Sequence, residues 1–344
     1  MDTKTITEFT PTELAGLLRH IGNTPLLPIS LAVKGKIHVT YLKLEGANPS
    51  GSIKIRTAYS LVQDLENRNL LGKDTILVES TSGNLGVALS MIAKAKGYRF
   101  LAVVDPKTTA ENIEKMQSLG AQIEVVDQLD TNGSYLLTRL AYIHQLCHNS
   151  NQYIWSNQYT NDANPSIHYA QTGPEIYHQL QGQVDAIFVA VSTGGTLAGI
   201  GKYFREVSPK THIVGVDARG SVIFGTPPAP RKLTGIGSSR ASSFLQREHY
   251  DTYRIIGDEE AFAFCRALYR ETNIKVGGSS GAVLAACAQY LEEHPEIKRS
   301  VCLCPDTGEN YTSSIFNDQW LHQQHLNTTN QLGHVEIIGR ALHA

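Results

Sequence analysis

The chain has 344 residues, of which 41% are hydrophobic and 18% are charged, an ordinary composition for a globular protein. This length is enough for two modest domains that share a substantial core. The 30 lysine and arginine residues nearly balance the 32 aspartate and glutamate residues, so the net charge is −2. The sequence therefore lacks the broad basic field that attracts nucleic acid or an anionic membrane, and small molecules are the expected partners.

The N-terminal segment and the cysteines bear on the location of the protein. Residues 1–10 are polar and acidic, and no apolar run approaches the roughly 18 residues of a membrane span. The five cysteines are scattered and the 13 histidines are dispersed, which does not suggest a zinc site. We therefore expect a cytoplasmic protein with reduced thiols, no metal site and no membrane segment.

Short β-branched runs alternate with longer amphipathic stretches along the chain. The predicted strands are residues 37–44, 75–78, 100–104, 122–126, 186–191, 212–216 and 300–303. Helical periodicity covers residues 85–96, 110–119, 135–146, 197–207 and 261–271. This alternation is typical of parallel sheets covered by helices. The proline-rich residues 226–231 predict a loop, and the polar segment from about His322 predicts a peripheral tail.

Lys54 follows a turn of small residues, 48–52, and stands at the start of a predicted helix. A lysine amine is nucleophilic only without its proton, and desolvation in a pocket permits a Schiff base with an aldehyde. Most single lysines are instead solvated surface charges. Three further clusters of small polar residues distinguish Lys54 from that ordinary case, and together with it they suggest pyridoxal phosphate chemistry.

The first of these clusters is residues 80–84, between a predicted strand and a predicted helix. Ser80, Thr81, Ser82 and Gly83 offer hydroxyl and N–H groups that suit a substrate carboxylate, and Asn84 can bond a ring hydroxyl. Considered alone, the cluster is better explained as a helix N-cap with turn residues, since serine, threonine and asparagine are the usual capping types.

The second cluster follows the predicted strand 186–191 and opens the next helix. It comprises Ser192, Thr193, Gly194, Gly195 and Thr196. The glycines permit close backbone approach and the hydroxyls add donors at the positive helix end, which predicts a phosphate-binding loop. A dinucleotide-binding unit whose ribose-binding acid is Asp217 is the rival interpretation, but Gly199 does not complete the usual glycine spacing.

The third cluster, residues 277–281, precedes a predicted helix over 282–290 and contains Ser279. A glycine-rich turn that lets this helix pack closely on the sheet is the alternative explanation.

In this order, the clusters resemble the fold-type II pyridoxal phosphate enzymes of the cysteine synthase and cystathionine β-synthase superfamily. The resemblance covers roughly residues 21–320 and begins with the motif Gly22-Asn23-Thr24-Pro25-Leu26.

The resemblance implies an α/β fold of the tryptophan synthase β type, with two open twisted parallel-sheet domains. A larger cofactor-binding domain would comprise residues 1–45 and 154–330, and a smaller mobile substrate-binding domain residues 46–153, with a peripheral tail over 331–344. It also implies a homodimer. Residues 80–83 would bind the substrate carboxylate.

The resemblance further implies roles for individual residues toward pyridoxal 5′-phosphate. Lys54 would bind the cofactor covalently, Asn84 would bond its O3′, residues 192–196 would hold its phosphate, and Ser279 would face its pyridine nitrogen. A neutral serine does not keep that nitrogen protonated as an aspartate would. The cofactor is then a weaker electron sink, which favours elimination at Cβ over transamination.

Several stretches, including residues 79–86, 133–139, 157–159, 216–225 and 235–240, resemble the subgroup of N-(2-amino-2-carboxyethyl)-L-glutamate synthases, which supply 2,3-diaminopropionate for siderophores. Tyr159 and Ser192 stand where cysteine synthases usually carry phenylalanine and glycine. The two extra hydroxyls suit a phosphate-bearing substrate better than an acetyl ester. Arg139 and Arg240 are candidate partners for phosphate or for the carboxylates of glutamate, with a surface arginine as the alternative at each position.

Two positions depart from these patterns: Ile55 stands where the superfamily usually has aspartate, and Gly195-Thr196 keeps a cysteine-synthase ending.

The predicted reaction is β-replacement on O-phospho-L-serine, in which phosphate leaves Cβ to give an aminoacrylate and the amino group of L-glutamate adds. A cysteine synthase that uses O-acetylserine or O-phosphoserine with sulfide is the nearest alternative. A catalytically silent cofactor-binding or partner-binding protein and a nicotinamide dehydrogenase are alternatives of other classes.

Overall fold

The computed structural model describes residues 8–130 and 133–340. The helices in chain order are α1 (Pro11–Leu17), α2 (Lys54–Asn67), α3 (Asn84–Lys96), α4 (Ala110–Ser118), α5 (Leu136–Asn149), α6 (Ala163–Ile167), α7 (Gly173–Gln179), α8 (Gly195–Val207), α9 (Asp258–Thr272), α10 (Gly278–Glu293) and α11 (Asp318–Gln323). The strands are β1 (Leu26–Val33), β2 (Lys36–Leu44), β3 (Ile76–Ser80), β4 (Arg99–Val104), β5 (Gln122–Val125), β6 (Tyr153–Trp155), β7 (Ala186–Ala190), β8 (His212–Ala218), β9 (Thr252–Ile256), β10 (Arg299–Cys304) and β11 (Val335–Arg340).

The chain divides into two compact units. Unit 1 comprises Met1–Gly22 and Asn48–Ile167, and unit 2 comprises Asn23–Ala47 and His168–Ala344. Unit 1 contains residues 48–153 of the predicted small domain, 46–153, together with residues 1–22 and 154–167. The reason is local: Leu14 of α1 is buried among residues of α2 and α3, and β6 pairs with β3.

The sheet of unit 1 has four parallel strands in the order β5-β4-β3-β6. All five residues of β3 are buried, because helices cover both of its faces. Leu77 packs in a cluster with α2 and α3, whereas Ile76 and Val78 pack with Ile143 of α5. The parallel arrangement brings the carboxyl ends of the strands to a single edge of this sheet.

The sheet of unit 2 has seven strands in the order β11-β1-β2-β10-β7-β8-β9. The five strands from β2 to β9 in this order are parallel to their neighbours, and β1 runs antiparallel to both β2 and β11. The predicted α/β class with two parallel-sheet bodies is confirmed, with the addition of an antiparallel edge in the larger sheet. The segment predicted as a peripheral tail from residue 331 contains the edge strand β11.

Helix α10 packs closely on this sheet because its buried residues are small. Its sequence begins Gly-Ser-Ser-Gly-Ala, and every residue from 278 to 288 is buried. A Cβ atom at Gly281 would lie 2.0 Å from the carbonyl oxygen of Ala261, so α9 and α10 approach too closely for any other residue there. The predicted turn at residues 277–281 is thus largely the first turn of α10, which begins at Gly278.

The seven predicted strands are all present, and their ends agree with the structure within two residues. The predicted helices are also present. Strands β1, β6, β9 and β11 were not predicted, and β6 has only three residues. Over residues 8–130 and 133–340, no helix has the length and hydropathy needed to cross a membrane.

Candidate active site

In unit 1, the ends of three neighbouring strands carry polar segments that include predicted site residues. Ser80 is paired in register with Val103 of β4, so residues 80–84 emerge beside Asp105, which follows β4. Val78 is paired with Trp155, the last residue of β6, so residues 156–159 emerge on the other side. Tyr159 and the 80–84 loop therefore lie at the same edge.

Lys54 is the first residue of α2, a helix of 14 residues, and it is partly buried. Its backbone N–H donates to Ser52 Oγ over 3.3 Å, and the turn before it includes Gly51 at a φ of 75°. The glycine supplies the left-handed conformation that turns the chain into the helix. The small residues before Lys54 thus determine where the helix begins.

A chain of hydrogen bonds connects α2 to the 80–84 loop. Thr57, one turn after Lys54, donates to Asn164 Oδ1 over 3.3 Å, and Asn164 Nδ2 donates to the Gln158 carbonyl over 2.8 Å. The Gln158 side chain in turn donates to the Ser80 carbonyl over 2.9 Å. Sequence reasoning did not identify Thr57, Asn164 or Gln158 as contributors. The only signal was that Gln158 lies in the stretch 157–159.

The 80–84 loop does not use its hydroxyl groups to cap the helix. The N-cap of α3 is Gly83, at a φ of −148°, and no side chain caps it. Ser80 is buried, and its Oγ makes no hydrogen bond with any residue that the structure describes. The Ser82 carbonyl accepts from Asn112 Nδ2 over 3.1 Å, which ties the loop to α4. The simple N-cap explanation is therefore wrong, and a buried hydroxyl is left for a ligand.

Arg139 lies in the first turn of α5 and is buried, with 8% of its surface exposed. Its Nη1 lies 3.3 Å from Asp105 Oδ2 in an ion pair. Within residues 8–130 and 133–340, however, neither Nε nor Nη1 makes a hydrogen bond of normal geometry. A buried guanidinium with unused donors is suited to an oxyanion, so Arg139 is not the surface arginine that was the alternative.

In unit 2, the 192–196 loop connects β7 to α8. Gly194 is the N-cap of this 13-residue helix at a φ of 92°, and no side chain caps it. A Cβ atom at Gly194 would lie 2.1 Å from Ser242 Oγ and 2.9 Å from Leu245 Cγ. The first N–H groups of a helix lack partners within the helix, so the loop presents donors at the positive end of α8. This geometry fits a phosphate group.

The side chain of His168 contacts this loop through Thr196. The side chain is fully buried; its Nδ1 lies 3.0 Å from Thr172 Oγ1 and its Nε2 lies 3.3 Å from Thr196 Oγ1. Sequence reasoning missed His168, because a single histidine 28 positions before its partner gives no local pattern.

Ser279 and Arg240 lie near the same edge of the unit 2 sheet as the 192–196 loop. Ser279 is buried in the first turn of α10, and a bridge between Val276 and Thr307 places that turn beside the end of β10. Arg240 is partly buried and its N–H donates to Ser238 Oγ over 3.1 Å. The same segment contacts the 192–196 loop, since Ser242 donates to the Thr193 carbonyl.

Asp217, the ribose-binding acid of the rival interpretation, is fully buried within β8. Its Oδ1 accepts from the N–H of Ala218 over 2.8 Å, so the carboxylate is turned into the protein. Burial raises the pKa of Asp217 to about 6, an effect that its hydrogen bonds to Ser221 and Ala218 and the charge of Arg231 oppose. An acid in this position is not available to a ribose.

Comparison with known proteins agrees with the geometry of the 192–196 loop. The family model described as pyridoxal-phosphate dependent enzyme matches residues 17–306. The chain belongs to this family. It is therefore an enzyme that depends on pyridoxal phosphate, and the predicted cofactor is confirmed.

Solved structures of similar enzymes resemble this pyridoxal-phosphate dependent enzyme over most of their length. A hydrogen sulfide-producing enzyme of Fusobacterium nucleatum is 30% identical, with a TM-score of 0.79 over 86% of this chain and 97% of the other. O-ureido-L-serine synthase is 30% identical, with a TM-score of 0.78 over 89% and 98%. O-acetylserine-dependent cystathionine β-synthase from Helicobacter pylori is 28% identical, with a TM-score of 0.79 over 87% and 97%.

The chemistry of the predicted residues suits the cofactor in each unit considered by itself. Unit 1 contains the Lys54 amine and the Asn84 amide. Unit 2 contains the start of α8 at Gly194 and the buried Ser279 hydroxyl. Among the described residues, no group of three metal-ligating side chains is arranged to hold a metal ion.

Proposed function

We propose that this enzyme catalyses β-replacement on O-phospho-L-serine, with L-glutamate as the nucleophile, and releases N-(2-amino-2-carboxyethyl)-L-glutamate and phosphate. The product would supply 2,3-diaminopropionate for siderophore biosynthesis. The observation that carries the proposal is Arg139, a buried guanidinium whose Nη1 is ion-paired with Asp105 Oδ2 but whose Nε and Nη1 donate no hydrogen bond of normal geometry in the part of the chain that the structure describes. A phosphate-bearing donor substrate would satisfy them.

The similar structures support the reaction class. One is named as a synthase of O-ureido-L-serine, and another is named as a synthase that depends on O-acetylserine. Both names describe serine derivatives substituted at the β-carbon. Bound pyridoxal phosphate supplies an electron sink that acidifies the Cα–H bond of an amino acid.

The protein's part is to bind, orient and move protons. Lys54 would hold the cofactor and, once released, take the proton from Cα. Asn84 and Ser279 would orient the ring, and residues 192–196 would hold its phosphate. The Cβ–O bond to the leaving phosphate then breaks, a Cβ–N bond to glutamate forms, and a proton returns to Cα.

Four residues would recognise the substrate's α-carboxylate: Ser80, Thr81, Ser82 and Gly83. The buried Ser80 Oγ lacks a hydrogen bond within the described ranges, which supports this role. Arg139 would bind the substrate phosphate, with the hydroxyls of Tyr159 and Ser192 as further donors. Arg240 would bind a carboxylate of glutamate.

The test supplies purified enzyme with O-phospho-L-serine or O-acetyl-L-serine, each paired with L-glutamate or sulfide, and identifies the products by mass. We expect the glutamate adduct from O-phospho-L-serine, and little product from the acetyl ester. Cysteine formed in place of the adduct would identify a cysteine synthase. Failure to release phosphate or acetate under any condition would contradict β-replacement on these two serine esters.

A variant of Arg139 tests the observation on which the proposal depends. Arg139→Lys keeps the charge but loses the planar pair of donors, so we expect KM for O-phospho-L-serine to rise about tenfold or more. The matched control is Arg68→Lys, which alters a largely exposed arginine paired with Asp64. Equal KM values in Arg139→Lys and the natural enzyme would contradict the phosphate-binding role.

We also propose that the enzyme is a cytoplasmic homodimer. The residues that would form the dimer interface are not assigned. Sedimentation of the purified protein at several concentrations measures the oligomeric state directly, and a monomer at all concentrations would contradict this proposal.

A further inference from the structure

Glu79 is a fully buried carboxylate that accepts four hydrogen bonds. Its Oε1 accepts from the Ser80 N–H over 2.8 Å and from Trp155 Nε1 over 3.0 Å. Its Oε2 accepts from Ser156 Oγ over 2.7 Å and from the Gln158 N–H over 3.0 Å. Glu79 is not among the residues proposed to bind the cofactor or the substrates.

The four donors come from two segments that parallel pairing places side by side. Ser80 follows Glu79 at the end of β3, whereas the other three donors lie at the end of β6 or directly after it. The Gln158 side chain also donates to the Ser80 carbonyl over 2.9 Å. Glu79, Ser80 and Gln158 thus form a closed ring of hydrogen bonds that joins the 80–84 loop to the 156–159 segment.

We propose that Glu79 is a positioning residue, whose carboxylate holds the 80–84 loop and the 156–159 segment in the relative geometry that binds the amino-acid substrate. The inference rests on the proposed role of residues 80–83 in binding the substrate's α-carboxylate. It does not depend on which leaving group or nucleophile the enzyme uses, because every β-substituted serine carries the same α-carboxylate.

The chemistry of the donors explains why a carboxylate is required. Two are backbone N–H groups and one is an indole N–H, and none of these can accept a hydrogen bond. Only an acceptor with two oxygens and several lone pairs satisfies them together with the Ser156 hydroxyl. Burial raises the pKa of Glu79, while its four hydrogen bonds act in the opposite direction.

Glu79→Gln is the informative variant because it changes one oxygen into an NH₂ group at nearly constant volume. If that group replaced Oε1, it would face two N–H groups that cannot accept. If it replaced Oε2, Ser156 can accept its proton, but the Gln158 N–H loses its acceptor. We therefore expect the NH₂ group of the glutamine to point toward Ser156 Oγ. The hydrogen bond that is lost is then the one from the Gln158 N–H to Oε2 of residue 79.

Hydrogen exchange of the cofactor-free protein measures this loss without any turnover. We expect the peptide over residues 156–160 to exchange at least tenfold faster in Glu79→Gln than in the natural protein. The matched control is Ser90→Ala, a buried serine of α3 that bonds only the Gly86 carbonyl in the described residues. Its exchange at residues 156–160 should be unchanged.

Kinetics of the holoenzyme separates positioning from simple structural support. We expect Glu79→Gln to raise KM for the donor amino acid about tenfold, with kcat changed less than threefold, measured with both O-phospho-L-serine and O-acetyl-L-serine. If only the acetyl ester is a substrate, the phosphoserine proposal fails while the Glu79 test proceeds. If neither ester is a substrate, hydrogen exchange alone decides.

A lowered melting temperature with unchanged KM and unchanged exchange over residues 156–160 would overturn the proposal, because Glu79 would then stabilise unit 1 without positioning the site. Should Glu79→Gln fail to fold, Ser156→Ala removes one donor and leaves the carboxylate in place. We expect exchange at residues 156–160 and KM each to rise two- to fivefold in that variant, and the natural values in both would likewise overturn the proposal.

Discussion

The Ser242 hydroxyl donates a hydrogen bond of 2.6 Å to the carbonyl oxygen of Thr193. This bond holds the segment that carries Arg240 against the 192–196 loop. The next residue, Gly194, has a φ of 92°, and a Cβ atom there would lie 2.1 Å from the same hydroxyl oxygen. Backbone conformation and close approach thus both require glycine at this position.

We predict that Gly194→Ala weakens cofactor binding at least tenfold. The added methyl group must displace Ser242 or shift the loop whose N–H groups would hold the cofactor phosphate. The measurement is an absorbance titration of cofactor-free protein with pyridoxal phosphate. The control is Gly97→Ala, at a φ of 75° with no atom within 4 Å, which imposes backbone strain alone. Equal weakening in both variants would show that strain, and not the close approach to Ser242, determines the effect.

Lys54→Ala tests the covalent attachment of the cofactor. We expect the purified variant to lack the absorbance band of a lysine-bound cofactor and to show no turnover, because the amine that would move the Cα proton is gone. Lys73→Ala changes an exposed lysine and should retain both properties. An active variant of Lys54 that kept the band would assign the role to a different lysine.

Lys43 is the centre of a buried network in unit 2. Its Nζ donates to the Thr24 carbonyl over 2.8 Å, to Glu175 Oε2 over 2.8 Å and to Gln179 Oε1 over 2.9 Å. Lys43→Met leaves Glu175 without its cationic partner, and we expect the free energy of unfolding to fall by about 3–5 kcal/mol.

Urea denaturation, followed by circular dichroism, measures this loss. Lys34→Met provides the comparison, because Lys34 pairs with Glu292 at the surface and both side chains are largely exposed. Such a pair contributes about 0–1 kcal/mol. Similar losses in the two variants would mean that burial does not govern the Lys43 network.

The raised pKa of Asp217 predicts that the free energy of unfolding depends on pH. Its pKa is raised from the usual 3.8 to about 6 by burial, so the folded protein keeps this proton to a higher pH than the unfolded chain. Unfolding releases the proton between these values, and the contribution of Asp217 to the free energy of unfolding therefore falls as pH rises from about 4 to about 6. The full change is of the order of 3 kcal/mol.

Asp217→Asn removes this titration. We expect the free energy of unfolding of the variant, relative to the natural protein, to increase between pH 4 and pH 6 and to level off above pH 6. Chemical denaturation at several pH values measures the difference, and subtraction removes the other acidic groups. A difference that is constant over this range would assign the pH dependence to groups other than Asp217.

Much of the fold could be predicted because the signals are local. β-Branched apolar runs located the strands β2, β3, β4, β5, β7, β8 and β10, and helical periodicity located α3, α4, α5, α8 and α9. A buried strand and an amphipathic helix each carry their own sequence pattern. Strand β11 was missed because it lies in a polar segment, where only Ile337 and Gly339 are buried against the sheet. An edge strand of this kind depends on its partner β1 more than on its own residues.

The sequence by itself determined the order and chemistry of the small-residue clusters around Lys54, Asn84, Gly194 and Ser279, because turns and helix starts are written in neighbouring residues. Only the tertiary structure decided that Arg139 is buried beside Asp105 and that Glu79 binds donors 76 to 79 positions away. Those contacts arise from the register of parallel strands, which brings distant residues to one edge of a sheet. Local patterns specify each strand, whereas the partner at its end is selected by packing of the whole unit.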